Sequence, residues 1–388
     1  MQSFSYYIPV RLFFGKGELN RMATEKLPGK KAIIVTSGGT SMKKYGYLDR
    51  LTALLEKNNT AYVIFDKILP NPIKSHVMEG AALAKAEGCD FVIGLGGGSS
   101  IDSSKAIAVM ATNEGDYWDY ISGGSGKGQP IVNDPLPIIA ITTTAGTGTE
   151  ADPFTVTTKE ETDEKIGFGC DKTFPYFSII DPDLMMSVPP KLTAYQGFDA
   201  LFHSTEGYIA NIANPISDLF ALKAIELIGK YLPQAVKDGS DAEARANVAL
   251  ANTLAGMVES TSSCTSEHSI EHAMSGYHPE LPHGAGLIMV SLAYNSLFAQ
   301  KVPERFVDMA KALGKTDAKE PMDFVTALHD LQKACGVDQL KMSDYGIKKE
   351  ELDKIATHAK NIMGGLFDLD RYQMTHEDIV DVLEKSYR

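Results

Sequence analysis

Four of the chain's nine histidines, His268, His272, His278 and His283, fall within residues 267–284. Imidazoles gathered this closely suit a metal site, an acid–base site or a chance cluster. A second group lies upstream in Gly197-Phe-Asp-Ala-Leu-Phe-His-Ser-Thr-Glu-Gly207. Asp199 and His203 are four residues apart, as are His268 and His272, so each pair shares one face if its segment is helical. His283 follows Pro282 and precedes Gly284, the setting of a loop-to-helix junction. A divalent cation could take Asp199, His203, His268 and His283. One carboxylate with neutral imidazoles leaves such a site net positive, suited to a Lewis acid with room for an outside oxygen. A single Asp/His pair at this spacing is more often a surface pair; two pairs together with His283 favour the ion. His278 and His76 lack a partner in the sequence, and His329, His358 and His376 fall on polar helix faces. These five are expected to be structural or solvated.

A different chemistry is written in the first half. Residues 90–108, DFVIGLGGGSSIDSSKAIA, read as a strand, a glycine run and a helix. Gly96, Gly97 and Gly98 let the backbone approach a ligand, Ser99 or Ser100 is placed to cap a helix beginning near Ile101, and bare N–H groups at a helix start attract phosphate. The run is GGGS rather than GxGxxG, so the ordinary dinucleotide fingerprint is absent and a plain tight turn stays open. A second loop, residues 142–150 (TTTAGTGTE), is dense in hydroxyls at a strand's carboxyl end, where parallel sheets bind ligands. A third, Ser37-Gly-Gly-Thr-Ser41 followed by Lys43 and Lys44, has no acid to accept from ribose hydroxyls. It favours NADP(H) over NAD(H), with a solvated surface turn as the alternative.

These loops need elements to hold them. Short β-branched runs lie at residues 32–36, 61–65, 91–95, 138–142 and 177–180, with helical patterns at 47–55, 73–86 and 101–111. Strands alternating with helices imply a largely parallel sheet covered on both faces. After Ser187-Val-Pro-Pro190 no convincing strand follows. Residues 191–209, 215–232, 241–257, 304–313, 322–335, 349–362 and 375–387 read as helices, with Pro215 in a first turn and Thr375/Asp378 as a start signal. The expected fold is α/β plus all-α: a Rossmann-like parallel-sheet domain over residues 1–188, then an all-helical domain over 189–388. A chain of 388 residues suits two cores.

The net charge of −13 argues against a nucleic-acid partner. Cys89, Cys170, Cys264 and Cys335 lie far apart without CxxC spacing and read as reduced thiols of a cytoplasmic protein. The N-terminus lacks the pattern of a signal peptide, and no run is long enough to cross a bilayer, so no membrane partner is expected.

GGGSSIDSSKA, TTTAGTGTEAD, GFDALFHSTEGY and HSIEHAMSGYHPELPHG together resemble the signatures of the iron-containing (group III) alcohol dehydrogenase family, in the family's order and over the whole chain. The Ser-Gly-Gly-Thr-Ser loop looks most like the NADPH-dependent butanol dehydrogenase and aldehyde reductase branch. The resemblance implies that Asp199, His203, His268 and His283 hold Fe2+, with Zn2+ as the alternative, and that His272 lines the substrate cleft without binding metal. It implies that Gly97, Gly98, Ser99 and Asp102 face the pyrophosphate and nicotinamide. Thr143, Thr144, Thr147 and Thr149 form the second cofactor loop, Asn71 and Lys165 face the cofactor, and Gly38, Gly39 and Ser41 see the 2′-phosphate. A homodimer acting on a small alcohol or aldehyde is implied as well. The segment holding His278 is one residue longer than in close relatives, and Phe202 and Ser263-Cys264-Thr265 depart from the usual residues.

The expected reaction is reversible hydride transfer between a primary alcohol and an aldehyde in the cleft between the halves, with His272 as a proton relay or as an orienting group. The competing readings are a zinc-type polyol dehydrogenase, a sugar-phosphate cyclase-like lyase on the same scaffold, and a non-catalytic metal- and nucleotide-binding protein.

Overall fold

Apolar runs of four to seven residues become buried strands in the first half because helices cover both faces of the sheet they form. The computed structural model describes residues 3–388. One unit comprises Ile8–Thr144 and Thr149–Ser187. Its elements are β1 (Arg11–Phe14), β2 (Lys31–Ser37), α1 (Ser41–Lys44), α2 (Tyr47–Lys57), β3 (Ala61–Ile68), α3 (Lys74–Ala86), β4 (Phe91–Gly96), α4 (Gly98–Thr112), β5 (Ile138–Thr142), β6 (Thr155–Lys159), β7 (Glu164–Phe168) and β8 (Phe177–Ile180). Six strands form one parallel sheet in the order β1-β8-β5-β4-β2-β3. β4, β5 and β8 are buried along their whole length, which is why they read as unbroken apolar runs. On one face, Leu48, Leu51 and Leu55 of α2 join Ile34, Ile93, Ile141 and Phe177 in one core. On the other, α4 lies so close that a Cβ at Gly94 would stand 3.0 Å from the Cα of Ile101.

All five strands anticipated from the sequence are present. The short β1 and the antiparallel β6–β7 hairpin are additions. β6 and β7 carry three charged residues between them, Lys159, Glu164 and Lys165, and so lack a clear strand signature.

The other unit comprises Val188–Arg388, the segment Ala145–Gly148 and the N-terminal stretch ending at Tyr7. Its described residues form helices and no strand: α5 (Pro190–Ile209), α6 (Pro215–Lys237), α7 (Ala242–Ser262), α8 (Ser266–Tyr277), α9 (His283–Lys301), α10 (Phe306–Ala312), α11 (Met322–Ala334), α12 (Leu352–Asp368) and α13 (His376–Ser386). Asn214 caps α6 by accepting from the Ile216 and Ser217 amides, with Pro215 in the first turn. Thr375 and Asp378 form a capping box on α13. α8 and α9 carry no apolar stripe, since nearly every residue of α8 is buried and α9 is apolar on most faces. No helix among the described residues is long and apolar enough to cross a membrane.

Candidate metal centre and nucleotide loops

Helical periodicity gathers the donors of the second unit. On α5, Asp199, His203 and Glu206 follow at steps of four and three and share one face. On α8, Glu271 and His272 follow His268 by three and four residues, so each lies on the His268 side of the helix. His283 is the first residue of α9, and its neighbour Gly284 fixes where that helix starts. A Cβ on Gly284 would fall 2.2 Å from the backbone oxygen of Tyr195, so α9 begins directly against α5.

The four residues meet on one oxygen. Asp199 Oδ1 lies 3.6 Å from His203 Nδ1, 3.7 Å from His268 Nε2 and 3.4 Å from His283 Nε2. Hydrogen bonds are shorter than this. The spacing matches the ligand-to-ligand edges around an ion bound at about 2.1 Å, which are roughly 3.4 Å for four ligands. Asp199 Oδ1, His203 Nδ1 and His268 Nε2 are buried and have no hydrogen-bond partner. Polar atoms left in this state cost free energy unless a ligand satisfies them. The residues therefore fit a divalent ion.

Electrostatics agree. Burial alone would push the Asp199 carboxyl up, but His203, His283 and His268 outweigh it and hold it well below the usual carboxylate range. Burial pushes His203 down to about 3, leaving a neutral imidazole able to donate a lone pair. Burial also works against a proton on His268, yet Cys264 and Glu206 overcome it. In the ion-free chain both ring nitrogens of His268 therefore carry protons; an ion at Nε2, the nitrogen that faces Asp199, would displace one and leave the other on Nδ1, which is hydrogen-bonded to Glu206 Oε1. His283 repeats the device, its Nδ1 bonded to Glu271 Oε2.

Glu206 and Glu271 are wholly buried, and the sequence reading passed over both. Their helical spacing from Asp199 and His268 was the available signal. They add to the expected set: two further carboxyl groups stand behind the imidazoles of His268 and His283. Cys264 is a third addition. Its thiol and one ring nitrogen each of His203 and His268 all lie within 4.8 Å of one another.

His272 belongs to the same cluster. Its ring centre is 5.3 Å from that of His283 and 6.3 Å from that of His268, and its Nδ1 lies 2.9 Å from Met363 Sδ. The remaining histidines stand apart. His278 Nε2 turns to Glu351 at 3.4 Å, His358 stacks on Tyr277, and His376 Nε2 lies 2.7 Å from Asp353. Phe202 is buried beside Phe198.

In the first unit, α4 begins at Gly98, earlier than expected, so Ser99 and Ser100 lie inside its first turn and neither caps it. Ser99 Oγ instead donates to Pro70 O, beside Asn71. No side chain caps the amides at this helix start, which suits phosphate. A Cβ on Gly97 would stand 2.8 Å from Thr144 Oγ1, so the GGGS loop and Thr144, just beyond the end of β5, touch only because that residue is glycine. Thr143 N donates to Gly96 O. Pro72 O accepts from Thr158 N, and Thr158 pairs across the hairpin with the buried Lys165, so Asn71 and Lys165 belong to one neighbourhood. These surroundings fit a dinucleotide.

Asp102 and Thr149 are joined to each other: Thr149 Oγ1 donates to Asp102 Oδ1 at 2.7 Å, and Val156 N donates to Oδ2 at 2.9 Å. Thr147 falls in the segment grouped with the helical unit. Near Gly38, Gly39 and Ser41, the structure corrects the expectation that no acid is present. A Cβ on Gly38 would lie 3.3 Å from Asp66 O, and the Asp66 carboxylate accepts from Lys43 Nζ at 2.5 Å.

Comparison with known proteins follows the same division. A family model described as iron-containing alcohol dehydrogenase matches residues 9–182, and one for the C-terminal part of the Fe-containing alcohol dehydrogenase family matches residues 193–387. Alcohol dehydrogenase 4 of Saccharomyces cerevisiae is 34% identical over 386 residues, 98% of each chain. The 1,3-propanediol dehydrogenase of Klebsiella pneumoniae is 35% identical over 368 residues, 92% of each. Among solved structures, an archaeal halo-thermophilic alcohol dehydrogenase from a Red Sea brine pool superposes with a TM-score of 0.95 at 34% identity, covering 100% of this chain and 99% of the other. NADH-dependent butanol dehydrogenase A of Thermotoga maritima gives 0.90 at 30% identity, covering 100% and 99%.

Proposed function

This chain belongs to the iron-containing alcohol dehydrogenase family and is an oxidoreductase; from that premise we propose that it interconverts primary alcohols and aldehydes by reversible hydride transfer, using Fe2+ and preferring NADP(H). The observation that carries the reading is the meeting of three imidazole nitrogens on one buried carboxylate oxygen. When bound, the ion supplies Lewis acidity toward the substrate oxygen and the nicotinamide supplies or takes the hydride. Asp199 gives the ion site its anionic donor, and His203, His268 and His283 its neutral ones. Glu206 and Glu271 keep the protons of His268 and His283 on the far side of each ring. Gly97, Gly98 and Ser99 present the uncapped amides of α4 to a phosphate. His272 holds and passes the proton that the substrate oxygen gains or loses, a role supported by its place beside His268 and His283. The names of relatives acting on butanol and 1,3-propanediol support a small primary alcohol as substrate.

The decisive assay follows NADPH and NADH oxidation by two- to six-carbon aldehydes, after chelation and after adding back Fe2+ or Zn2+. Metal-restored turnover is expected. Absence of turnover with every aldehyde and both metals would sink the proposal. For His272→Asn, a fall in kcat with an altered pH profile and unchanged metal content is expected; an unaltered profile removes the relay.

Cofactor preference rests on Gly38, Gly39, Ser41 and Lys43, opposed by Asp66, which engages Lys43. Asp66→Asn should raise the NADPH-over-NADH ratio of kcat/KM several-fold, and an unchanged ratio removes Asp66 from discrimination. Zinc is the second reading, favoured by the Cys264 thiol beside His203 and His268, since soft donors favour zinc. Metal analysis of the purified protein separates the two. A cytoplasmic homodimer completes the proposal, supported by four unbridged cysteines and by the exposed Phe4, Tyr6 and Tyr7. Size-exclusion chromatography with light scattering tests the dimer.

A further inference from the structure

His283 stands at the first position of α9, where helices fray and side chains are least restrained. An imidazole there can turn over or change tautomer, and either movement takes Nε2 away from Asp199. Two features on α8 and α9 prevent this. Glu271, wholly buried, takes the proton side of the ring at Nδ1. Gly286, one turn beyond His283, leaves room for that carboxyl. A Cβ at Gly286 would stand 2.8 Å from Glu271 Cγ and 2.9 Å from Oε1, so any larger residue displaces the glutamate.

Burying a carboxyl in this position costs free energy unless it is bonded to a polar or charged partner. The sequence nevertheless places Glu271 on the His268 face of α8 and a small residue opposite it on α9. Glu206, the equivalent group behind His268, also accepts from Thr265 N at 2.7 Å and Thr265 Oγ1 at 3.0 Å, and so fastens the chain leading into α8. Glu271 acts on an imidazole at the start of α9, twelve residues away.

We propose that Glu271 is a positioning residue that fixes His283 in its ion-ready tautomer and raises its donor strength, and that Gly286 is required to admit it. The inference rests on the metal reading of Asp199, His203, His268 and His283. Its consequence is retention of the ion: the protein holds a divalent metal more tightly than the four ligands alone would.

The experiment measures the Zn2+ dissociation constant of chelator-stripped protein by competition with a chromophoric chelator, and records the visible spectrum of the Co2+ form. Glu271→Gln keeps an acceptor for Nδ1–H but removes the charge, and should weaken Zn2+ binding about 10-fold. Glu271→Leu removes the acceptor; a loss approaching roughly 100-fold and an altered Co2+ spectrum are expected. Gly286→Ala should follow Glu271→Leu. Wild-type affinity and an unchanged spectrum in folded Glu271→Gln and Glu271→Leu proteins would overturn the assignment while leaving the metal site standing. If Glu271→Leu does not fold, wild-type affinity in Glu271→Gln with Gly286→Ala overturns it equally. A wild-type protein that takes up neither Zn2+ nor Co2+ overturns the metal reading and this inference with it.

Discussion

Both units bury charge, and they treat it in opposite ways. In the sheet unit, Lys105 is fully buried and donates to Thr149 Oγ1, Asp152 O, Asp152 Oδ1 and Phe154 O at 2.7–3.0 Å, while the Thr149 hydroxyl in turn donates a hydrogen bond to Asp102 Oδ1. Burial pushes Asp102 up to about 6, with Lys105 pulling the other way. Every donor of this cluster finds an acceptor within the chain. In the helical unit, Asp199, His203 and His268 each keep a buried polar atom without a partner, all turned toward one point. A closed cluster fastens segments of a fold together, and an open one waits for a ligand. This separates the two more surely than residue type, since both contain buried aspartates beside potential cations.

The sharpest way to break the comparison is Asp199→Asn. Turnover should fall roughly 10³-fold, the several kcal/mol a Lewis-acid site supplies. Unchanged turnover and unchanged metal content in the folded variant would mean that Asp199 belongs to a closed cluster after all. Lys105→Met tests stability in the sheet unit. Stranding Asp102 and Asp152 is expected to cost about 3–5 kcal/mol in urea unfolding, and a cost below about 1 kcal/mol would show that the cluster is not the fastening inferred here.

A smaller effect concerns the carboxyls behind the metal residues. Burial pushes Asp370 up to about 8, with bonds from the Ser266 amide and Tyr294 hydroxyl only partly offsetting it. The folded chain then keeps a proton that the unfolded chain loses near pH 4. Stability from this group is full below about pH 4 and declines as the pH rises to about 8. From pH 6 to 8 the metal-free protein should lose roughly 2 kcal/mol, and Asp370→Asn should flatten that slope. An unchanged slope in the variant would assign the dependence to another group.

Much of this was legible in the chain, for identifiable reasons. β4 and β5 are covered on both faces, so their apolar runs announced them. The GGGS turn has its meaning within a few residues, as does the i, i+4 pairing of Asp199 with His203. α8 was harder because burial on nearly all sides erases the periodicity that reveals a surface helix. Asp66 was missed for a different reason: it reaches the Gly38 loop across neighbouring strands, from a position 28 residues farther along the chain.

The sequence by itself determined which groups could do chemistry and what local structure would carry them. Side-chain type and helical or strand period are properties of short stretches. Only the tertiary structure decided that α5, α8 and the start of α9 bring three imidazole nitrogens within 3.4–3.7 Å of one aspartate oxygen, with Glu206 and Glu271 behind two of the rings. That convergence depends on interhelical distances set by Gly284 and Gly286, where absent side chains let backbone and glutamate approach. Such distances arise from packing between residues far apart in the chain, and no local pattern encodes them.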